Sequence, residues 1–200
     1  MELQHVNVKL FLANPERVQL EALIPVFHGW IQDEVCEELL VDVADYSHVH
    51  SGPGVVLIGH QGNYSVDNAD NRLGLRYNCK TVLEGNNQDR LTQATRAALA
   101  ACQRLEADPR LDGSICFNGQ DVEVFINDRL IVPNSEASRE ALAFEFHTFF
   151  RALFGEGQYA LAYGEDSRRP FSVSVRAFHR FGTAALLNSL ACVSSMPDRA

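Results

Sequence analysis

The feature that most constrains the fold is a stretch of eleven residues that occurs in similar form in both halves of the chain. "EALIPVFHGWI", residues 21–31, and "EALAFEFHTFF", residues 140–150, share Glu-Ala-Leu, then Phe-His, then an aromatic residue at identical spacing. Each follows a strand-like segment that ends near an Asn and precedes two further strand-like segments. The pattern predicts a β-α-β-β unit that occurs twice, unless the resemblance is a chance similarity between two amphipathic helices.

The two units predicted in this way span residues 6–61 and 121–177, and a long helix over residues 88–107 joins them. That helix has an Asn at its start, an apolar residue every third or fourth position, and Pro109 after its end. We therefore expect a single α+β domain over residues 1–177, with an antiparallel or mixed sheet covered by about three helices. Residues 178–200 are expected to form a tail or a short docking helix.

The remaining strands are predicted from runs of apolar and β-branched residues. "ELLVDVADY", "GVVLIGH" and "RLGLRYNCK" are the second, third and fourth strands, and the turn-rich segment "QGNYSVDNADN" separates the last two. "SICFNGQDVEVFIND" is interpreted as a hairpin, because Asn118-Gly119 is a strong type I′ turn signal. Two final strands, "QYALAYGED" and "FSVSVRAF", end the regular part.

Composition and charge exclude several classes of protein. The net charge of −9 argues against nucleic-acid binding, because phosphate contacts need a basic surface. No run approaches the roughly 18 apolar residues of a transmembrane helix, and the N-terminus lacks the layout of a signal peptide. The five cysteines form no CxxC pair, so we expect reduced thiols and a cytoplasmic protein without membrane contact.

Histidines concentrate in one predicted hairpin, "DYSHVHSGPGVVLIGHQGNY". If the first strand continues to His50, then His48 and His50 point the same way. Whether His60 joins them depends on the parity of the loop. A three-residue loop would place all three histidines on one face, whereas a loop with an even number of residues would place His60 opposite Asp45.

The apolar pattern favours the even loop modestly. Leu39, Val41, Val43 and Val49 share one parity and form the better core face. An even loop makes Asp45 and His60 an acid/base pair beside Tyr46, and these three are the candidate catalytic residues. The odd loop instead makes His48, His50 and His60 ligands of a divalent transition metal. Structural or surface histidines remain the commoner explanation of such a cluster.

Two further sites are weaker candidates. Asn127, Asp128 and Arg129 end a predicted strand, where binding residues often lie, although an Asp–Arg pair at a turn is the better explanation of them. Cys36 or Cys79 could act as a redox sensor, which would require a thiol with a depressed pKa.

Function is open at this point between two classes. Signatures of nucleotide-binding, zincin and serine-hydrolase proteins are missing from the sequence. We expect a non-catalytic binding or assembly protein, a homodimer or the partner of another protein, because one helix is rich in aromatic residues and the C-terminal segment is apolar. The alternative is a metal-dependent or Asp–His acid/base enzyme centred on residues 45–60.

Overall fold

A computed structural model describes the backbone of residues 1–193 and the side chains of residues 1–191. In this part of the chain the α-helices are α1 (Leu23–Gln32), α2 (Asn87–Ala107), α3 (Glu136–Phe154) and α4 (Thr183–Val193). The strands are β1 (Val6–Leu12), β2 (Leu40–Tyr46), β3 (Gly54–Gly59), β4 (Gly62–Asp67), β5 (Gly74–Cys79), β6 (Phe117–Ile126), β7 (Tyr159–Tyr163) and β8 (Phe171–Ala177).

All eight strands form one antiparallel sheet in the order β2-β3-β4-β5-β1-β6-β8-β7. The first strand of the chain therefore lies inside the sheet, between β5 and β6, and the edge strands are β2 and β7. The expected α+β fold is confirmed. In the described part of the chain no helix is both long enough and apolar enough to cross a membrane.

The helices pack against one face of the sheet, where alternate residues of the strands are apolar and buried. Val8 and Leu10 of β1 and Leu75 of β5 lie on this face, and all three are almost completely inaccessible to solvent. Helix α3 contributes three phenylalanines four residues apart, Phe146, Phe150 and Phe154, with successive ring centroids 6.4 and 6.1 Å apart. Spacing by four residues keeps these rings on the same side of α3.

Helix α2 confirms the long helix that the sequence predicts. It begins with a capping box, in which the side chain of Asn86 accepts a hydrogen bond from the Asp89 amide and the Asp89 side chain accepts one from the Asn86 amide. It ends at Ala107, two residues before Pro109. Helix α4 falls within residues 178–200 and contacts both α2 and α3, whereas residues 194–200 lie outside the described residues.

The two β-α-β-β units have the same order of elements but are arranged differently in the sheet. β1, α1, β2 and β3 belong to residues 6–61, and β6, α3, β7 and β8 belong to residues 121–177. β8 pairs directly with β6, whereas β3 is separated from β1 by β4 and β5. A shared origin of the two units stays a hypothesis.

Two of the predicted strand boundaries are wrong. "QGNYSVDNADN" is not a connecting loop throughout, because it contains β4. The predicted hairpin at Asn118-Gly119 is one continuous strand, β6, because Gly119 adopts a φ of +59° beside a register shift between Leu10 and Leu12. An Asn-Gly pair here makes an irregularity within a strand, and the chain does not reverse.

Substitution of Gly119 by Ala is expected to destabilise the protein by at least about 2 kcal/mol. A Cβ atom on Gly119 would overlap the carbonyl oxygen of Phe181, in addition to the cost of the positive φ. Gly113 is the matched control, since its φ is +65° but no atom lies within 4 Å of the added Cβ. Gly113→Ala should cost only about 1 kcal/mol. Urea unfolding measures both free energies, and equal losses would contradict a role for the Phe181 contact.

Candidate functional site

The face of the sheet turned away from the helices is polar, and we call it the helix-free face. One cross-strand row on it contains Ser65 of β4, Arg76 of β5, Lys9 of β1, Glu123 of β6 and Ser174 of β8, each paired in register with the next. Side chains in neighbouring positions of such a row lie close enough to interact. Charged side chains are therefore concentrated at the middle of the sheet.

An ion pair between Lys9 and Asp67 lies at the centre of this face. Both residues are 2 % exposed, and the Lys9 amino group donates a hydrogen bond to the Asp67 carboxylate. The two residues belong to β1 and β4, with β5 between them. Gly74 of β5 is paired with both Phe11 and Asp67. Because Gly74 has no side chain, nothing projects from β5 at that point to separate the two partners.

Burial shifts the ionisation of the residues around this pair. Desolvation lowers the pKa of the Lys9 amino group, although the neighbouring Asp67 partly offsets the effect. Desolvation also raises the pKa of Glu123, against the opposing effect of Lys9. Each group is thus displaced toward its neutral form, in a region where several titratable side chains face one another. Perturbed groups of this kind are typical of binding and catalytic sites.

A cleft of about 100 Å³ opens above this centre, and we call it the polar cleft. Its lining residues are Lys9, Phe11, Ala69, Asp70, Arg72, Arg76, Glu123, Phe125 and Arg169. The volume is about that of three water molecules in the liquid, or of one small group such as a carboxylate or phosphate.

Two arginines of the polar cleft are held in place by aromatic rings. The guanidinium carbon of Arg72 lies 3.6 Å from the ring centroid of Phe11, and that of Arg76 lies 4.7 Å from the ring centroid of Phe125. In the described part of the chain neither arginine has a carboxylate partner within ion-pair distance. The Nε atom of Arg76 is buried and has no hydrogen-bond acceptor there. These guanidinium groups are oriented but not neutralised by a direct ion pair.

The rim of the polar cleft contains a strained turn. Asp70 and Asn71 both have positive φ angles, 57° and 56°, which non-glycine residues seldom adopt. This conformation accompanies an ion pair across the cleft, in which the Asp70 carboxylate accepts a hydrogen bond of 2.6 Å from Arg169. That bond lowers the pKa of Asp70. Strain of this kind often accompanies binding sites.

Asparagines of three adjacent strands form a second cross-strand row beside the charged one. Asn63, Asn78 and Asn7 are paired in register across β4, β5 and β1. Both side-chain polar atoms of Asn7 and the Oδ1 atom of Asn63 are buried and have no hydrogen-bond partner within the described protein. Buried polar groups normally have partners, so these atoms can bind water or a ligand.

The hairpin that the sequence favours as a site has a different geometry. Tyr46 pairs with Gly54, so the loop comprises the seven residues 47–53, and the expected even loop is wrong. Val49 and Gly52 close successive turns within it by bonding back to Tyr46 and Val49. The strand ends before His48, so the histidines at 48 and 50 lie in an exposed loop and do not share a strand face.

The core face expected of Leu39, Val41, Val43 and Val49 is right at Val43, which packs against the core, and wrong at the other three positions. Leu39 and Val41 are 69 % and 57 % exposed, whereas Leu40 is buried. A register shift between Leu40 and Asp42 changes the parity of the strand at this point.

The candidate catalytic residues Asp45 and His60 lie at opposite ends of the hairpin. Asp45 pairs with Val55 at the start of β3, whereas His60 follows the end of β3 and bonds through its amide to Leu39. The Asp45 carboxylate accepts the Ser47 amide hydrogen, which lowers its pKa, and Tyr46 is exposed.

The three candidate metal ligands, His48, His50 and His60, are not gathered into a site by the fold described above. Among the described residues no group of three or more His, Cys, Asp or Glu side chains is arranged to hold a metal ion. A divalent transition metal at these histidines stays a prediction of the sequence alone.

The other two candidates make contacts typical of structural residues. Asp128 accepts the Ile131 amide hydrogen at 3.2 Å, and Arg129 donates to the Ser167 carbonyl at 3.3 Å, so both stabilise the connection after β6. Asn127 is bound through its backbone amide to the carbonyl of His5, and a ligand role for the three residues stays a prediction.

A redox sensor at Cys36 or Cys79 would require a depressed thiol pKa. This prediction is wrong, because burial raises the pKa of both thiols.

Comparison with known proteins adds no identity. The chain matches no protein-family model, and it shows no significant similarity to the curated proteins with which it was compared. The site is therefore argued from its geometry.

The polar cleft does not follow from the sequence alone, although part of its pattern is visible there. In "VNVKLF", "LRYNC" and "VEVFI" a charged residue alternates with apolar ones, which places Lys9, Arg76 and Glu123 on the face opposite the core. Each of these segments alone has the pattern of an ordinary half-exposed strand. The charged cluster can be predicted only when it is known that the three strands are neighbours in the sheet.

Substitution of Asp67 by Asn should destabilise the protein by about 3–5 kcal/mol, because Lys9 would be left as a buried charge without a counterion. The double variant Lys9→Met/Asp67→Leu should recover most of this loss. The pKa of Lys9 in folded Asp67→Asn lies below its unfolded value, so the variant should gain stability as pH rises through the folded pKa toward about 10.5. Urea unfolding at several pH values measures these effects. A single variant as stable as the parent would contradict the buried ion pair.

Proposed function

We propose that this protein is a non-catalytic binding protein and that its ligand is a small organic anion held in the polar cleft. The observation that carries the proposal is the state of Arg76: its guanidinium is stacked on Phe125, and its buried Nε has no acceptor in the described part of the chain. A buried donor without an acceptor costs free energy, which a bound oxygen atom would recover.

The charges around the cleft support an anion as the ligand. Four cationic and two acidic side chains line it, although the whole chain carries a net charge of −9. Lys9 is paired with Asp67 and Arg169 with Asp70, so Arg72 and Arg76 are the cations left for a ligand. A planar guanidinium can bind carboxylate or phosphate through two parallel hydrogen bonds.

The lining residues support binding rather than catalysis. Among the described residues that line the polar cleft there is no serine, cysteine or histidine. Lys9 and Asp70 are held in ion pairs, so Glu123 has no second acid or base in the lining that is not already paired with an oppositely charged group. The competing enzyme hypothesis, an acid/base or metal site at residues 45–60, has less support, because Asp45 and His60 lie at opposite ends of their hairpin.

A cytoplasmic location and a homodimer also belong to the proposal. Cys36, Cys79, Cys102 and Cys116 are free thiols, which suits a reducing compartment. Val41 of the edge strand β2 and Leu39 just before it are exposed, and an exposed apolar edge is a surface on which a second copy could pair.

The anion site can be tested by NMR on the ¹⁵N-labelled protein. Titration with sodium acetate, and separately with sodium phosphate, should give a saturable shift of the Arg76 Nε–Hε signal at constant ionic strength. Arg76→Lys keeps the charge but loses the planar pair of donors, so the affinity should fall about tenfold or more. The same substitution identifies the Arg76 signal by its disappearance.

Arg151→Gln is the matched control, because Arg151 is an exposed residue of α3 on the opposite side of the sheet. Arg151→Gln removes one positive charge, whereas Arg76→Lys keeps it. If anions were attracted only by the general charge, Arg151→Gln would weaken binding more than Arg76→Lys, but we expect it to leave the dissociation constant unchanged. Shifts that rise linearly with salt, or an affinity that Arg76→Lys leaves unaltered, would overturn the proposal.

The homodimer has a test of its own. Val41→Lys places a charge on the exposed edge of β2, so the variant should sediment as a monomer at concentrations where the parent is a dimer. Leu130→Lys is the control, since Leu130 is 97 % exposed and lies in the loop after β6, outside that edge. If the parent is monomeric at concentrations up to about 100 μM, its Kd for dimerisation is above about 10⁻⁴ M, which is much weaker than that of a stable dimer, and the dimer is removed from the proposal.

A further inference from the structure

A second cleft adjoins the polar cleft on the helix-free face, and we call it the apolar cleft. Its volume is about 150 Å³. Its lining residues are Phe11, Arg72, Asp121, Val122, Ala160, Leu161, Ala162, Ser174, Val175 and Arg176. Phe11 and Arg72 line both clefts, so the stacked pair that they form is the wall between the two.

The floor of the apolar cleft is formed by small side chains, which leave the depression open. Ala162 of β7 is paired in register with Ser174 of β8, and Ala160 is paired with Arg176. Around this floor the charged groups face each other, since Arg176 lies 3.9 Å from the Asp121 carboxylate. The apolar cleft therefore offers hydrocarbon surface and one aromatic wall, whereas the unpaired guanidinium groups face the neighbouring cleft.

We propose that the ligand is an organic anion that carries an apolar group about the size of a benzene ring. The anionic group would bind Arg72 and Arg76 in the polar cleft, and the apolar group would lie in the apolar cleft against Phe11. This inference rests on the proposed function and specifies the class of ligand. The evidence for it is that the two clefts share Phe11 and Arg72 and differ in the rest of their linings.

Size and spacing support this choice of ligand. An apolar cavity of about 150 Å³ is large enough to bind benzene. The two clefts are separated by a single stacked pair, whose guanidinium carbon and ring centroid are 3.6 Å apart. Because Phe11 and Arg72 line both clefts, a linker that passes over the edge of this pair could join an anionic group in the polar cleft to a ring in the apolar cleft.

The experiment compares three probes on the same labelled protein: acetate, 3-phenylpropanoate and 3-phenylpropan-1-ol. Acetate has the anionic group alone, the alcohol has the ring and linker alone, and 3-phenylpropanoate has both. We expect 3-phenylpropanoate to bind at least about tenfold more tightly than acetate, since burying a ring removes apolar surface from water. The alcohol should bind more weakly than 3-phenylpropanoate by a similar factor.

Ala162→Leu fills the apolar cleft from its β7 side, whereas Arg76 lies in the polar cleft. Ala162 is exposed on an edge strand, so a larger side chain is compatible with folding. This variant should bind acetate as the parent does and should lose most of the additional affinity for 3-phenylpropanoate. Ala141→Leu, the same change at an exposed position of α3, is the control and should alter neither affinity.

The outcomes separate this inference from the proposed function. If acetate and phosphate show no saturable binding, the proposed function fails and the inference fails with it. If acetate binds and 3-phenylpropanoate binds no more tightly, or if Ala162→Leu leaves the ratio unchanged, the inference alone is overturned. Equal affinity for the alcohol and the acid would likewise contradict it, because the apolar cleft would then bind independently of the arginines.

Discussion

Strand β1 is hydrogen-bonded to a strand on each side and is covered on both of its faces. Each face of the sheet must therefore provide side chains that bury this strand. All seven residues from Val6 to Leu12 are buried. On one face of β1, Val8 and Leu10 are covered by the helices that pack against them. On the other face the covering is made by side chains alone, and the buried Lys9 requires a counterion that Asp67 provides. Both the core and the charged centre are organised around this strand.

A buried ion pair is weak evidence for stability, since removing two charges from water costs about as much as their attraction returns. An apolar pair would cover β1 at least as well. The charged centre also leaves Arg76 and Asn7 with buried polar atoms that have no partner in the described part of the chain. A face assembled in this way is more readily understood as a surface for recognition than as part of the stabilising core.

The sequence predicts the elements of this fold better than their pairing. Helix α2 and most strands follow from local patterns of apolar residues, which need no knowledge of distant neighbours. The register shift between Leu40 and Asp42 changes the parity from which the face of the histidine hairpin was predicted. The Asn-Gly pair predicted as a turn lies instead beside the register shift between Leu10 and Leu12. The polar cleft could not be predicted from local sequence patterns either. Lys9 and Asp67, or Asp70 and Arg169, meet only through the order of the strands.

The bond between Asp70 and Arg169 joins residues separated by 99 positions in the chain. Asp70 belongs to the turn before β5, and Arg169 belongs to the connection between β7 and β8. A growing chain emerges from the ribosome N-terminal end first. Lys9, Asp67 and both stacking arginines can therefore be in place before Arg169 has been synthesised. The nascent protein would pass through a stage in which the groups that we propose to bind an anion are uncovered, because one wall of the cleft is added only after residue 169 has been synthesised.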